Sequence, residues 1–302
     1  MPPILATADI GSNTVHLLVA QVSKGTVTVI DNRSQWFGLG EVVAREGHIP
    51  RKTAKQVTNT VARFVQISRD HGANSCYLFA TESFRRAKGA GEVADMVKAK
   101  TRLPVDVVTP EMEAELGLRG ALLDCDGTSP ALFVECGGGS VQLARFAEER
   151  ILWDVSLALG TGTLKAGLEV VQPTTDSKVE EVRRHISATL PGGPKLDGAM
   201  RVIASGGVAR GLVRALHPDG ERVLRRIELE YLAWSSARLT RAQVAKRFRV
   251  KPHRAGTLML GSLVFLELMD AAHQDEVMVS EYGVREGAVL KMAQGGFAKW
   301  RL

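Results

Sequence analysis

Short apolar runs alternate with amphipathic stretches along nearly the whole chain. Residues 3–8 (PILATA) and 15–22 (VHLLVAQV) read as strands with a polar break between them, and residues 26–30 as a third strand reached through a Lys24-Gly25 turn. Over 51–71, Ala54, Val57, Val61, Phe64 and Val65 recur at helical spacing, with Gly72 placed as a C-cap. A strand at 76–80, a helix at 91–101 and a strand at 105–108 follow. Thr109-Pro110 then opens a helix to about residue 123, with Pro at its first position. After the turn cluster CDGTSP (125–130) come strands at 131–134, from Val141 onward and at 152–159, a helix after Gly160 and a charged helix at 178–190. A strand at 201–204 ends in Ser205-Gly206-Gly207, and a helix follows to residue 216. A short basic helix (240–248), a long apolar one (254–272), a strand (277–280) and a helix (283–293) complete the pattern. The alternation predicts an α/β protein.

The first polar break holds the chemistry. In DIGSNTV (9–15) a tight turn asks for Gly11 and Asn13, but not for Asp9 at the end of a buried strand, where a carboxylate is costly. The pattern returns midway as ECGGGSV (135–141): an acid, any residue, glycine, two small residues, a hydroxyl and valine, running on into an apolar strand. Two such hairpins predict two halves of similar topology. We place the boundary in the turn cluster, giving domains 1–124 and 125–302, with the last helix a candidate to pack back on the first.

Glycine-rich turns let successive backbone N–H groups converge on one anion, because no side chain blocks the approach. The predicted phosphate-binding groups are Gly11, Ser12, Asn13 and Thr14 in the first loop, Gly137, Gly138, Gly139 and Ser140 in the second, and Ser205, Gly206 and Gly207 in a third. An acid beside such a loop repels phosphate unless a cation stands between them. Mg²⁺ keeps its waters and takes one or two carboxylates plus phosphate oxygens. Asp9 and Glu135 are therefore the predicted metal ligands, facing one another across a cleft. For one loop alone the plain alternative is a tight turn with a capping acid; two matched loops and a third argue against it. There is no GxxxxGK[ST] loop, and these glycines do not precede a helix as a dinucleotide fingerprint would.

The 302 residues suffice for two domains, and 45% hydrophobic with 24% charged residues is ordinary for a globular chain. Cys76, Cys125 and Cys136 are too few and too scattered for a disulfide framework, and no metal-type Cys/His spacing occurs. The start, MPPILATADIGS, lacks the pattern of a secretory leader, and the apolar run 258–269 contains Glu267 and is short for a bilayer span. A reduced, cytoplasmic compartment and no membrane partner are expected. The net charge of +6, concentrated in 225–254, favours a polyanion, while sparse aromatics disfavour nucleic acid.

Taken together, DIGSNTVHLLVA, ATESFRRA, VVTPEMEAELGLRGAL, FVECGGGSVQL, ASGG and VSEYGVREG resemble, in order and spacing, the Ppx/GppA phosphatases of the actin/Hsp70/sugar-kinase superfamily. The resemblance spans essentially the whole chain. It implies two ribonuclease-H-like domains with the active site in the cleft between them, phosphate on the glycine turns and Mg²⁺ held through water by the acids. It also implies a general base at Glu113 and a phosphate-binding loop arginine at Arg85. By helical spacing, Glu111 and Glu115 lie on the other side of the helix from Glu113. The sequence departs from the family pattern at Glu135 (commonly Asp), Gln142 (commonly Glu) and Thr163 (often Arg).

The expected function is Mg²⁺-dependent release of terminal orthophosphate from inorganic polyphosphate. The alternatives are guanosine pentaphosphate 5'-phosphohydrolysis, with guanosine tetraphosphate a related ligand, and a weakly active or inactive protein that binds an alarmone or polyphosphate. A second copy of the chain is a further candidate partner.

Overall fold

The structure is a computed structural model that describes residues 2–192, 196, 201–297 and 300–302. Its elements in chain order are β1 (Ile4–Ile10), β2 (Thr14–Ser23), β3 (Thr26–Trp36), α1 (Leu39–Glu46), α2 (Arg51–Asp70), β4 (Ser75–Ala80), α3 (Glu82–Arg86), α4 (Ala90–Thr101), β5 (Asp106–Val107) and α5 (Pro110–Ala121). There follow β6 (Ala131–Cys136), β7 (Val141–Ala147), β8 (Arg150–Leu157), α6 (Thr161–Gly167), α7 (Asp176–Thr189), β9 (Arg201–Ser205), α8 (Gly206–Leu216) and β10 (Val223–Arg225). The chain ends with α9 (Arg226–Arg238), α10 (Arg241–Arg247), α11 (Pro252–Ala272), β11 (Glu276–Val279) and α12 (Val284–Ala293).

Two compact units form, one from Met1–Leu123 with Tyr282–Leu302, the other from Asp124–Glu281. The tail that the chain order assigns to the second domain thus lies in the first unit. Each unit is built on one sheet, ordered β3-β2-β1-β4-β5 in the first and β10-β11-β9-β6-β7-β8 in the second. In the first, β1 runs antiparallel to β2 and parallel to β4, which sets Asp9 opposite His16 and Phe79. In the second, β6 runs antiparallel to β7 and parallel to β9, which sets Glu135 opposite Gln142 and Ser205. Both acids are the last residue but one of the first strand of a hairpin, flanked by the same strand directions. The repeat read in the sequence is therefore a repeat of topology.

Several elements differ from the pattern. The third strand runs on through the polar stretch DNRSQ to Trp36, because β3 is an edge strand with much of its length exposed. Neither α1, α3, α9 nor β10 is expected from the sequence. In α9 the apolar residues fall on two faces: Leu229, Leu232, Ala233 and Ala237 are buried, whereas Ile227, Tyr231 and Trp234 are exposed. No single amphipathic stripe results. Helix α11 is long and apolar enough to cross a membrane by length and composition, but 78% of its apolar window is buried inside the unit. Its one acid within the expected run, Glu267, accepts from Arg183 Nε at 2.6 Å.

Helix α12 packs on α5 with almost no separation. A Cβ at Gly287 would lie 1.9 Å from the Leu116 carbonyl oxygen, and one at Gly120 would lie 1.9 Å from the Gly283 carbonyl oxygen. The two glycines let the helices meet backbone to backbone, and that contact carries the helix of Glu113. Neither backbone can give way cheaply, so Gly287→Ala is expected to cost at least the 1–3 kcal/mol or so typical of overpacking. The midpoint of chemical denaturation should fall clearly; an unchanged midpoint would show that the crossing is looser than this.

Candidate functional site

In the first unit the loop after β1 is held from behind. The Asn13 carbonyl accepts from Phe37 N at 2.8 Å and Gly38 N at 2.9 Å, and the Ser12 carbonyl accepts from Gly40 N at 2.6 Å. Gly11 N donates to Thr14 O at 3.1 Å. The amides of Ser12 and Asn13 donate to no acceptor among the described residues, so they form a concavity able to take an anion. The glycine is required for space rather than for backbone hand. Gly11 and Asn13 do not adopt positive φ, which corrects the tight-turn reading, but a Cβ at Gly11 would sit 3.1 Å from Thr14 O and 3.7 Å from both Asp9 carboxylate oxygens.

Asp9 Oδ1 is sealed from solvent with no hydrogen-bond partner among the described residues. Burial pushes its carboxyl up to about 7; the Arg285 guanidinium opposes this, and the Glu113 and Glu286 carboxylates add to it. An acid in that state is short of positive charge. Among the described residues no three His, Cys, Asp or Glu side chains gather into a metal cage. The donor set fits a cation that keeps most of its waters and takes only one or two carboxylates, as Mg²⁺ does.

Glu113 lies in the first turn of α5, behind Pro110 and the Thr109 N-cap, whose hydroxyl accepts from Met112 N. It is buried and bound to Arg85, whose Nη2 donates to Glu113 Oε2 at 2.8 Å while Nη1 donates to the Val108 carbonyl at 2.7 Å. The sequence treats these two residues as separate functions; here they form one ion pair. Glu111 is exposed, and Glu115 turns to Lys291 at 3.0 Å, so the three acids of α5 do separate. The sequence reading missed Glu82. This buried acid accepts from the Ser12 hydroxyl at 3.2 Å and from Arg86 at 3.0 Å, while Ser83 donates to Ser12 Oγ at 2.7 Å. The single Ser12 hydroxyl proton is thereby committed to Glu82, leaving Ser12 its backbone N–H for an anion.

In the second unit the carbonyls of the loop after β6 are taken up by the start of α6. Thr161 N donates to Gly137 O at 3.1 Å, Gly162 N to Gly138 O at 2.7 Å, and Thr163 Oγ1 to Gly139 O at 2.8 Å. The amides of Gly138, Gly139 and Ser140 donate to no acceptor among the described residues. Thr163, where the family often has Arg, is thus a loop brace. Gly160 was not singled out from the sequence, yet a Cβ there would lie 2.3 Å from the Gly139 carbonyl carbon and 2.4 Å from Ser140 N. Gln142 Nε2 donates to Ser156 Oγ at 3.0 Å and is buried.

The longer acid Glu135 finds its space at the third loop. Gly206 has φ +92°, and a Cβ on it would come 3.1 Å from Glu135 Cγ. Gly206 and Gly207 form the first turn of α8, next to β9. Arg254 lies over Gly207 and donates from Nη1 to its carbonyl at 2.7 Å. Burial, with Arg210 and Arg214 nearby, holds the Arg254 guanidinium down at about 10. Arg210 Nη1 also donates to Ser205 Oγ at 3.3 Å. Arg254 and Arg210 are thus bonded directly to the third loop. Several other arginines of this part of the chain are held in ion pairs: Arg222 with Asp124, Arg225 with Glu221, Arg226 with Asp270 and Asp275, and Arg238 with Asp176.

A family model described as the Ppx/GppA phosphatase family matches residues 18–295. Exopolyphosphatase 1 of Mycobacterium tuberculosis is 27% identical over 95% of this chain and 87% of its own. A solved structure of the Aquifex aeolicus PPX-GPPA enzyme is similar with a TM-score of 0.80 at 24% identity, covering 96% of this chain and 100% of that one. An exopolyphosphatase of Cytophaga hutchinsonii gives a TM-score of 0.86 at 20% identity, covering 97% and 98%. The fold is accordingly that of two actin-like α/β domains.

Asp9 ionises near 7 in the fold against 3.8 for an ordinary carboxyl. The stability this acid contributes is complete below about pH 3.8 and is lost as the pH rises through 7. In the presence of a chelator, Asp9→Asn is expected to stabilise the chain at pH 8 by on the order of 1–3 kcal/mol and to change little at pH 4. Denaturant titrations at the two pH values check this. A gain independent of pH would remove the buried charge as its cause.

Proposed function

Because the chain belongs to the Ppx/GppA phosphatase family, we propose that it is a divalent-cation-dependent phosphoanhydride hydrolase that releases terminal orthophosphate from inorganic polyphosphate. The observation that carries this reading is the pair of matched loops, each with undonated amides next to a carboxylate. A chain of phosphates presents one anionic group after another, and each amide concavity is suited to one such group. The similarity to a protein named exopolyphosphatase is what supports polyphosphate as the substrate. A reduced, cytoplasmic compartment is proposed with it.

In this mechanism the loop amides and Arg85 bind the terminal phosphoryl oxygens. Glu113 receives a proton from the water that attacks phosphorus; the new O–P bond forms as the bridging P–O bond breaks, and the shortened chain leaves with the bridging oxygen. Arg85 ties Glu113 down in the absence of substrate, and a bound phosphate competes for that guanidinium, releasing the carboxylate towards the water. Asp9 and Glu135 are the carboxylates proposed to hold hydrated Mg²⁺, which when bound neutralises charge on the phosphates. Guanosine pentaphosphate ends in the same phosphoanhydride and remains the rival substrate. Phosphate release from polyphosphate, guanosine pentaphosphate and ATP, measured side by side, tests the assignment. The fastest turnover is expected on polyphosphate, and preference for guanosine pentaphosphate would overturn it.

Glu113→Gln keeps the side-chain shape and one acceptor for Arg85 but cannot take a proton. It is expected to lower kcat by about 10²–10⁴-fold with polyphosphate affinity nearly unchanged. Full activity in this variant would remove Glu113 from the mechanism. Glu135→Asp withdraws the carboxylate by about one carbon–carbon bond from the space that Gly206 leaves open, and Mg²⁺ tolerates little change in ligand distance. Mg²⁺-dependent phosphate release is expected to fall; a clear rise would indicate that the longer acid hinders the site and would favour the weakly active, ligand-binding reading.

A further inference from the structure

Glu82 is a buried acid that the mechanism does not use, and it stands beside a loop suited to receive an anion. A carboxylate so near a phosphate site is costly and repels the ligand, so its place there needs a reason. Thr81 N donates to the Ile10 carbonyl at 3.3 Å, which starts α3 beside the end of β1 and brings Glu82 and Ser83 to Ser12. Ser83, Ser12, Glu82 and Arg86 form one chain of hydrogen bonds, and its first three members are buried.

The direction of that chain is fixed by its acid. As a carboxylate in an ion pair with Arg86, one helical turn on, Glu82 only accepts, so the Ser12 hydroxyl donates to it at 3.2 Å. The 2.7 Å contact between the two serines then has Ser83 as the donor. A serine hydroxyl carries one proton and two lone pairs. With the proton given to Glu82 and one lone pair filled by Ser83, Ser12 Oγ has only a lone pair left to offer, and a lone pair repels an anion. The first loop thus meets a phosphate with backbone N–H groups and without the Ser12 hydroxyl.

We propose that Glu82 is a positioning residue that holds the Ser12 hydroxyl off the phosphate, limiting the first loop to weaker binding so that orthophosphate leaves after hydrolysis. The proposal rests on the phosphate-binding reading of that loop. A hydroxyl turned to the phosphate would bind substrate, transition state and product alike, which adds affinity and no speed. A hydrogen bond to a charged oxygen is among the stronger ones, on the scale of about tenfold in affinity. Glu82 withholds it while the loop backbone stays as it is, and Ser83 fixes the Ser12 rotamer from the other side.

Calorimetric titration of inorganic phosphate into the full chain, with Mg²⁺ present, tests this. Glu82→Asp keeps the charge but draws the carboxylate back by one methylene, out of hydrogen-bond reach of Ser12. Glu82→Ala removes it. Each variant is expected to bind orthophosphate about tenfold more tightly than the unchanged chain, and orthophosphate should inhibit its turnover at correspondingly lower concentration. Neither gain should appear when Ser12→Ala is present as well, because no hydroxyl is then left to turn. If Glu82→Ala fails to fold, Glu82→Asp, which keeps an acid at the start of α3, decides the matter. Unchanged or weaker phosphate binding in a folded Glu82→Asp chain would overturn the proposal. So would a gain that persists in the Ser12→Ala background, since the acid would then act by its charge and not through the hydroxyl. An unchanged chain that binds neither orthophosphate nor polyphosphate would overturn the phosphate-loop reading itself, and the proposal with it.

Discussion

An ionisable carboxylate at the buried end of a β-strand is the constraint on which the rest of this molecule turns. Such a group is costly unless a positive partner accompanies it. In Asp9 the shortage is visible as a carboxyl oxygen with no hydrogen-bond partner among the described residues and a proton affinity raised to about 7. The surroundings are arranged to keep that acid in place rather than to relieve it. The strands on both sides fix its height, Gly11 leaves room beside it, and the carbonyls of the loop are drawn off to the 37–40 segment so that amides remain. The second unit repeats the arrangement with different parts. There α6 takes the carbonyls, Gly160 provides the close approach, and Gly206 makes space for an acid one methylene longer.

Much of this was legible in the sequence because it rests on local order. An acid, glycine and a hydroxyl between two apolar runs can be read without knowing what packs behind them. For the same reason the duplication of DIGSNTV and ECGGGSV predicted the duplicated topology. The long helices around residues 51–70 and 110–121 follow from spacing and from Pro110 at a helix start.

What escaped the sequence depends on contacts made over long separations. Arg85 and Glu113 are 28 residues apart and become one ion pair only when α3 and α5 come together. Ser12 and Glu82 are 70 apart, and nothing in either segment announces that the hydroxyl proton is spoken for. Gly160 looks like any glycine before a helix until the 138–140 backbone is placed against it. The basic tract is read only in part: Arg226 and Arg238 find carboxylates from other elements, whereas Arg254 lies over Gly207 at the third loop. Helix α9 shows a further limit, since a helix with two apolar faces has no single stripe to read.

The central claim of the proposed function is that each acid acts together with the loop amides beside it, so that the cation and the phosphate each make the other's place. Calorimetric titration of Mg²⁺ into the protein, with and without a non-hydrolysable polyphosphate, measures that dependence most directly. The account predicts weak Mg²⁺ binding alone, binding at least about tenfold tighter with the polyanion present, and loss of that gain in both Asp9→Asn and Glu135→Gln. Mg²⁺ binding that is equally strong without the polyanion, or a gain that survives removal of either acid, would contradict it.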